Sequence, residues 1–376
     1  NPNVPNLRFP EFSGEWMHST IGSEFDLYSG NTPSRLHKEQ FKGDVNWISS
    51  GELKEHYISE TKEKITQEAA NNNNLKLLPI GTIVIAIYGL EAEGVRGTCS
   101  ITRGLSTISQ ACMAFTPIGS ITNEFLYSWY KKHGNLIGIK YAQGTKQQNL
   151  SYDIISQFRI DYPQREEQVK LERFISLLDE RIATQNKIID KLQSLIKGIR
   201  HDIFNDIQGE VLALSNIADI YQPQTISSSD LTTEGYWVYG ANGIIGKYKE
   251  YNHETEQICI TCRGNTCGTV NYTQPKVWIT GNSMVINTDK YQRQVNKRFL
   301  FHSLSSYNFN SIVSGSGQPQ IVRTPLEKIK VVLPTIEKQV RIANCIDIVS
   351  EKIDTESLVL RLLENQKQYL LRQMFI

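Results

Sequence analysis

The side chains of this 376-residue chain that could do chemistry lie in glycine-rich loops carrying amides, hydroxyls and arginines. These loops are residues 30–35, 88–103 and 140–149 in the first half, and residues 239–247, 263–266 and 314–320 in the second. Amide side chains match adenine edges and arginine matches guanine, while hydroxyls, lysines and exposed backbone amides match phosphates. The loops therefore fit nucleic acid, although each one taken alone also fits an ordinary solvated turn.

Motifs of catalytic centres are absent from the sequence. It contains no Asn-Pro-Pro-aromatic motif, no glycine-rich methyl-donor loop, no His-based zinc-protease motif and no nucleophile elbow. Residues 240–248 resemble a phosphate loop, but their glycine spacing is one residue too long, and Tyr248 replaces the Ser or Thr that would hold magnesium. We therefore predict a binding protein without a catalytic centre. A stand-alone enzyme is the weaker alternative.

A few residues of the second half have the types of metal ligands. Cys259 and Cys262 have the spacing of the first half of a zinc site, and His253 and Cys267 lie nearby. However, residues three apart on a strand point to opposite faces of a sheet, and no second cysteine pair follows. We therefore expect no bound metal.

The loops around residues 144 and 315 belong to an internal repeat. Residues 144–204 align without a gap onto residues 315–375, at a constant offset of 171 (315 − 144 = 171). The identities include Gly144/Gly315, Gln147/Gln318, Met113/Met284 upstream, Pro163/Pro334, Gln168/Gln339 and Phe204/Phe375. A chain built twice from one plan has two equivalent working faces, so the paired loops favour a functional interpretation over solvated turns.

Each repeat ends in a segment whose apolar residues recur in alternating steps of four and three. The two sets of positions are Leu171, Ile175, Leu178, Ile182, Gln185, Ile189, Leu192, Ile196, Ile199 and Ile203, and Ile342, Ile346, Val349, Ile353, Glu356, Leu360, Leu363, Lys367, Leu370 and Met374. Only Gln185, Glu356 and Lys367 break the apolar stripe. A stripe of this length is typical of a coiled-coil seam. We expect two helices of roughly 33 residues and 50 Å, packed antiparallel on each other. Two ordinary core helices are the alternative.

The segments before the two helices mix strand-like and helical patterns. Residues 81–88, 109–115 and 257–262 form strand-like apolar runs, and residues 123–131 form a helical pattern. This mixture predicts an α+β fold in each half. The expected divisions are residues 1–160, 161–208, 209–333 and 334–376, which alternate globular domain and helix.

The composition restricts the class of protein and of partner. The net charge of +1 gives no global attraction to a polyanion, so any nucleic-acid site must be local. No apolar run approaches the roughly 20 residues that cross a bilayer, and the polar, proline-rich residues 1–12 do not fit a secretory signal. Most of the six cysteines lie in strand-like apolar segments, which favours reduced thiols and a cytoplasmic protein.

Four features of the sequence together resemble one known family. They are the repeat, the paired Gly-x-x-Gln loops at Gly144 and Gly315, the Glu-x-Gln helix starts after Pro163 and Pro334, and the closing apolar helices. They look like the specificity subunit of Type I restriction-modification systems, over essentially the whole chain. Residues 4–16 also resemble the N-termini of family members.

The resemblance implies two target-recognition domains, each reading half of a split, asymmetric site in double-stranded DNA, and an antiparallel helical spacer between them. It also implies two docked methylation subunits and, in the full complex, two restriction subunits. S-adenosylmethionine would then belong to the methylation subunits and ATP with magnesium to the restriction subunits, so this chain would hold no cofactor. The alternative is a protein-interaction adaptor with a coiled coil, two peptide-binding domains and no DNA binding.

The loop chemistry gives a list of expected DNA contacts. They are Thr32, Ser34, Arg35, Tyr88, Arg96, Arg103, Gln143, Thr145, Lys146 and Gln147 in the first domain, and Tyr239, Asn242, Lys247, Arg263, Asn265, Thr266, Ser314, Ser316 and Gln318 in the second. For docking of protein partners we expect apolar helix residues outside the seam, namely Phe174, Leu177, Ile188 and Leu195. Packing of these four against the chain's own domains is the alternative.

Overall fold

The computed structural model describes residues 3–92, 94–144, 147–241, 243–315 and 317–376, and the chain divides into two compact units. Unit 1 consists of Asn1–Gln185 and Val359–Ile376, and unit 2 consists of Asn186–Leu358. Both units combine helices with strands, which confirms the predicted α+β class. No helix in these ranges is long and apolar enough to cross a membrane.

Unit 1 is built on two small sheets and a strand pair. Its strands are β1 (Met17–Thr20), β2 (Phe25–Ser29), β3 (Val45–Ile48), β4 (Tyr57–Ile58), β5 (Lys64–Ile65), β6 (Ile83–Ala86), β7 (Cys99–Thr102), β8 (Ser106–Ile108), β9 (Cys112–Pro117) and β10 (Arg159–Tyr162). Its helices are α1 (Ile21–Glu24), α2 (Gln67–Asn72), α3 (Asn123–Tyr141), α4 (Tyr152–Ser156) and the first half of α5 (Arg165–Asp206). The strand orders are β2-β9-β6-β7-β4, β5-β3-β8 and β1-β10.

Unit 2 repeats this plan with fewer elements. Its strands are β11 (Glu210–Ala213), β12 (Asp219–Tyr221), β13 (Tyr236–Gly240), β14 (Gly243–Tyr248), β15 (Ile258–Thr261), β16 (Val270–Tyr272), β17 (Trp278–Ile279), β18 (Ser283–Asn287) and β19 (Lys330–Leu333). Its helices are the second half of α5, α6 (Lys297–Ser306), α7 (Arg323–Glu327) and the first part of α8 (Ile336–Met374), whose end belongs to unit 1. The strand orders β12-β18-β15-β16, β14-β13-β17 and β11-β19 match those of unit 1 strand for strand, except that the described residues of unit 2 contain no counterpart of β4.

The cores of the two units are built alike around their central strands. β6 and β15 are buried along their whole length, which explains their continuous apolar sequences. α3 and α6 each begin at an N-cap whose side chain accepts a hydrogen bond from a phenylalanine N–H, Phe125 at 3.0 Å and Phe299 at 2.9 Å. Both phenylalanine side chains are fully buried in their cores.

The two long helices exceed the predicted length. α5 has 42 residues and α8 has 39, so each extends about 60 Å. Every residue of the two predicted heptad stripes is buried or half-buried, including Gln185, Glu356 and Lys367, which interrupt the apolar pattern. The stripe is therefore the inward face of each helix.

Both long helices contribute side chains to both cores. In unit 1, Leu171 and Ile175 of α5 share one apolar cluster with Leu370 and with Phe375, which follows the last turn of α8. Lys367 of α8 donates a hydrogen bond to the Asp179 carboxylate of α5 in the same unit. In unit 2, the corresponding places in the core are taken by the end of α5 and the beginning of α8.

Candidate nucleic-acid interface

The same loop is closed by the same backbone hydrogen bonds in both units. In unit 1, Gln143 and Asn149 exchange both N–H···O bonds, at 2.8 and 2.9 Å between nitrogen and oxygen. In unit 2, Ser314 and Gln320 do so at 2.8 Å in both directions. Since these pairs are related by the 171-residue offset, the repeat found in the sequence is also a repeat of backbone geometry. We call residues 143–149 and 314–320 the paired loops.

A glycine with a left-handed backbone follows the first residue of each paired loop. Gly144 has φ +115° and Gly315 has φ +96°. A Cβ atom would lie 2.0 Å from the backbone oxygen of Gln147 at the first position and 2.4 Å from that of Gln318 at the second. Both distances are shorter than any real contact, so only glycine permits this tight turn. The turn leaves the side chains of Gln147 and Gln318 exposed.

The paired loops are held beside the ends of the central strands. Asn149 forms a β-bridge with Tyr88, which follows β6, and Gln320 forms one with Arg263, which follows β15. The residue after each paired loop continues the pairing. Leu150 N–H donates to the oxygen of Ile87 at 2.9 Å in unit 1, and Ile321 N–H donates to the oxygen of Cys262 at 3.0 Å in unit 2. The frame thus brings together parts of two predicted loops in each unit.

The predicted arginines of unit 1 already have partners within the chain. Arg35 forms a two-point ion pair with Glu63, which raises the pKa of Arg35 and lowers that of Glu63 through their hydrogen bonds. Arg96 donates to Gln148 Oε1 at 3.2 Å. The Arg103 guanidinium lies 3.7 Å from the centre of a tyrosine ring. These arginines would have to change partners to read bases.

The other predicted contacts of unit 1 lie mostly at the surface. Ser34, Gln143 and Gln147 are exposed, and Thr32 and Tyr88 are half-buried. Ser34 Oγ accepts a long hydrogen bond of 3.4 Å from the backbone of residue 36. Thr145 and Lys146 fall outside the described residues.

In unit 2 the predicted contacts fall into two groups. Arg263, Asn265, Thr266, Ser314 and Gln318 are exposed on loops. Lys247 lies in β14 instead of a loop, with its Nζ 4.8 Å from the centre of an indole ring. Asn242 and Ser316 fall outside the described residues.

Tyr239 is the predicted contact that the structure places differently. It lies in β13, is 8% exposed and packs in a small apolar core with Cys259, Val277 and Ile279. Burial raises the pKa of its hydroxyl. The segment that the glycines suggested to be a loop contains the end of β13 and most of β14, so the ring serves packing and is not presented to a ligand.

The two cysteines with zinc-like spacing point away from each other. Cys259 belongs to the small core beside β13, whereas Cys262 belongs to the main core of unit 2. Within the described part of the chain, no group of three or more His, Cys, Asp or Glu residues could hold a metal ion.

Sequence reasoning missed polar residues beside Arg263. Gln222, Gln320 and Arg323 line a pocket of about 340 Å³ together with Arg263. Gln320 stands one repeat offset from Asn149, so the shared amide was a signal that could have indicated it. Gln222 and Arg323 carry no comparable signal, because only the fold brings them to this pocket.

Comparison with a family model decides the identity of the chain. The model described as "Type I restriction modification DNA specificity domain" matches residues 13–194 and 207–365, one match in each half. The chain belongs to this family. Sequence recognition in DNA is therefore its general function, and the family is one of non-catalytic specificity subunits.

Relatives and solved structures agree with the assignment to the Type I specificity family. The chain is 24% identical over 373 residues to the specificity subunit of the Type I restriction enzyme EcoprrI from Escherichia coli, covering 91% of this chain and 88% of that one. A specificity subunit of enzyme MjaIX from Methanocaldococcus jannaschii is 28% identical over 185 residues, 47% of this chain and 42% of its own length. The crystal structure of a Type I S subunit from M. genitalium superposes with a TM-score of 0.65 at 18% identity, covering 99% of both chains. That last likeness shows a shared fold.

The four residues predicted to dock protein partners differ in their exposure. Phe174 packs edge-on against Phe9 of the same unit, with ring centres 5.8 Å apart, which is a contact of the kind that the internal-packing alternative describes. Leu177, Ile188 and Leu195 are exposed on α5, Leu177 at 51%. Ile348, one repeat offset from Leu177, is exposed at 67% on α8.

Proposed function

We propose that the chain is a DNA-specificity subunit in which each unit reads one half of a bipartite, asymmetric site in double-stranded DNA. The observation that carries this proposal is the paired-loop frame, which has the same backbone bonds in both units but different side chains. A shared frame with different donors and acceptors is what reading two different half-sites requires, because base edges are distinguished by their hydrogen-bonding groups. The exposed Gln147 and Gln318 present equivalent amides from the two frames.

The long helices are proposed to set the distance between the half-sites as an antiparallel coiled coil. Asp179 lies in the first half of α5 and contacts Lys367 near the end of α8, as antiparallel pairing requires. Two readers on the same side of B-DNA need centres at least about 34 Å apart. Helices of about 60 Å can impose a separation on that scale. In this arrangement residues 1–160 and 209–333 are the recognition domains, and residues 161–208 and 334–376 form the spacer.

Two methylation subunits are proposed to dock on repeat-equivalent faces of the helices. Leu177 and Ile348 are related by the repeat, and both are exposed. Val169 and Val340 form a second such pair, eight residues earlier on each helix. Two equivalent apolar pairs suit two copies of one partner, since each copy then meets the same surface. Two restriction subunits would complete the assembly, with S-adenosylmethionine held by the methylation subunits and ATP with magnesium by the restriction subunits.

Methylation mapping tests the reading of two half-sites. The chain is expressed with its methylation subunits, and modified bases are located by sequencing across a genome and a randomised DNA pool. We expect a motif of two specified blocks separated by an unread gap. A single uninterrupted motif would contradict the proposal. DNA binding without any sequence preference would also contradict the proposal, and the absence of DNA binding would favour the adaptor alternative.

A paired deletion tests the spacer. Removing residues 186–192 from α5 and the facing residues 354–360 from α8 shortens both helices by one heptad, about 10 Å, which corresponds to about three base pairs. We expect the gap to shorten while the letters of both blocks stay the same. Lys187→Ala with Lys191→Ala, which alters the same heptad without changing its length, is the control and should leave the gap unchanged. A changed base sequence in either block together with an unchanged gap length would refute the proposal that the helices set the distance between the half-sites.

A further inference from the structure

The pocket beside Arg263 lies where three segments of unit 2 meet. It is bordered by the residues just after β12, by those just after β15, and by the segment that runs from the paired loop into α7. Cys262, Met284 and Ile321 form an apolar floor, and each of these side chains is at most 3% exposed. Gln222, Gln320 and the two arginines form a polar rim. The pocket is therefore firmly built by the core below it.

The charge of this pocket suits a polyanion. Among its described lining residues none is acidic, and two are arginines, Arg263 and Arg323. Glu327 is the carboxylate that approaches the rim, through a hydrogen bond of 2.6 Å from Arg323 Nε, one turn along α7. Gln222 donates its amide N–H to the backbone oxygen of Gly281, which fixes the orientation of its amide group. The rim thus combines the fixed amide of Gln222 and the amide of Gln320 with two guanidinium groups.

The four rim residues Gln222, Arg263, Gln320 and Arg323 have counterparts in unit 1 at equivalent backbone positions. The side chains at these positions are different. Tyr88 and Asn149 occupy the bridge positions of Arg263 and Gln320. Tyr152 opens the five-residue helix α4 as Arg323 opens α7. Ser29 ends β2 opposite Met113. The position of Ser29 corresponds to Gln222, which follows the last residue of β12.

At three of these four positions the side chains differ in the hydrogen-bonding groups that distinguish bases, whereas Asn149 and Gln320 share an amide. The set in unit 1 is Ser, Tyr, Asn and Tyr, and the set in unit 2 is Gln, Arg, Gln and Arg. Glutamine can bond both N6 and N7 of adenine, and arginine can bond O6 and N7 of guanine, whereas the smaller hydroxyls and the phenols cannot reproduce either pattern. Floor residues at equivalent places stay apolar, as with Met113 and Met284.

We propose that Gln222, Gln320 and Arg323 act with Arg263 as the base-reading group of unit 2, and that their ligand is the major-groove edge of purine bases in one half-site. This inference rests on the proposed function and adds the residues that determine its specificity. The rim amides read adenine and the guanidinium groups read guanine. The corresponding four positions of unit 1 read the other half-site with a different set of donors and acceptors.

The test uses the full chain assembled with its methylation subunits on a DNA pool randomised across both half-sites. Variants Gln320→Ala and Arg323→Ala remove one rim group each, and Asn149→Ala changes the other unit. Gln292→Ala and Arg293→Ala, which remove exposed residues of the same types elsewhere in unit 2, are the matched controls. The readouts are the methylated motif and the dependence of binding on salt.

We expect each rim variant to lower the preference at one or two positions of a single half-site by roughly 10- to 100-fold. Asn149→Ala should relax the other half-site, and the controls should leave both unchanged. An exchange of all four rim residues for the set of unit 1 should alter the letters of the same half-site while keeping the fold. This exchange keeps the test informative should a single variant unfold.

Two results would overturn the inference while leaving the proposed function intact. In the first, rim variants weaken binding to all sequences alike and lower its salt dependence, which identifies phosphate contacts. In the second, the methylated motif stays unchanged in variants that fold. A chain without substitutions that shows no bipartite motif would instead refute the proposed function itself.

Discussion

Gln168 and Gln339 make the same hydrogen bonds in the two units. Gln168 Nε2 donates to the oxygen of the proline before α5 at 3.0 Å, and Gln339 Nε2 donates to the oxygen of the proline before α8 at 2.9 Å. Each Oε1 accepts the backbone N–H of an N-cap residue, Thr122 at 3.1 Å and Asn296 at 2.8 Å. Both side chains are completely buried, so each glutamine joins a long helix to the helix that borders the central sheet.

These glutamines lead to a prediction about unit stability. Leucine at position 168 keeps the volume but leaves a buried N–H and two carbonyl oxygens without their partner, at about 1–3 kcal/mol for an unpaired buried group. We expect Gln168→Leu to destabilise unit 1 and Gln339→Leu to destabilise unit 2. Hydrogen exchange in β9 and β18 under native conditions reports each unit separately. Gln193→Leu, at an exposed position of α5, is the control, and equal loss in both units from either variant would contradict the prediction.

A histidine in unit 1 is held between charged and aromatic groups. The His56 ring stacks between the rings of Tyr57 and Tyr127, at 4.0 and 3.9 Å between centres. Its Nε2 lies 2.9 Å from a Glu124 oxygen, and its Nδ1 lies 3.6 Å from Asp179 Oδ2. Burial alone would lower the pKa of His56, but the two carboxylates outweigh it and raise the pKa above its ordinary value.

The raised pKa predicts how unit 1 responds to pH. Protonated His56 stabilises the folded unit fully below its unfolded pKa of about 6.5, and this contribution is lost as the pH rises through the higher folded value. We expect the free energy of unfolding of unit 1 to decrease over that range. His56→Gln should remove this dependence, whereas His37→Gln, at an exposed position, should not. An unchanged pH profile in His56→Gln would refute the assignment.

His302, a buried histidine of unit 2, has the opposite tendency. His302 accepts a hydrogen bond from Arg200 at Nδ1, 3.0 Å away, so its proton lies on Nε2 and is donated to Asp347 at 2.7 Å. Burial and the nearby arginine lower the pKa of His302 to about 4, which outweighs the Asp347 carboxylate. The folded unit therefore favours the neutral ring.

Acid should consequently destabilise unit 2 through this residue. Stability that depends on neutral His302 is complete above about pH 6.5 and is lost as the pH falls towards the folded value. We expect the protection of the α6 amides, measured relative to their intrinsic exchange rates, to fall between pH 6.5 and 4 more than in a His302→Gln variant. A parallel fall in protection in the two proteins would show that other groups control the response.

The sequence was sufficient to predict the repeat and its helices, because both depend on local pattern. The offset that relates Gly144 to Gly315 marks a turn that only glycine can make, and the heptad stripes mark the inward faces of α5 and α8. These features are encoded within a few turns of chain.

Side-chain pairing between distant segments was not predictable in the same way. The partner of Arg35 is Glu63, 28 residues along the chain, and no local pattern connects the two. Tyr239 lies in a glycine-rich segment typical of a loop, but in the fold it pairs with β14 on one side and with β17 on the other. The pocket residues Gln222 and Arg323 are likewise brought to Arg263 by topology alone.

Phe375 and Phe204 are equivalent in the repeat, and each packs in the core of one unit at the end of a long helix. Phe375 is buried in unit 1 with its ring centre 5.2 Å from that of Phe125. Phe204 packs in unit 2 with its ring centre 5.4 Å from that of Phe299, but it is only half-buried. Each long helix therefore closes a core with an aromatic residue at or just beyond its last turn.

Truncating these side chains should affect different units by different amounts. Phe375→Ala leaves a cavity in a full core, so we expect roughly 3–5 kcal/mol of destabilisation, seen as faster hydrogen exchange in α3 but not in α6. Phe204→Ala should act on α6 instead and by less, because part of its ring already contacts solvent. Tyr369→Ala, on the exposed face of the last turns of α8, is the control. Protection of α3 that survives Phe375→Ala would mean that unit 1 holds its core without the end of α8.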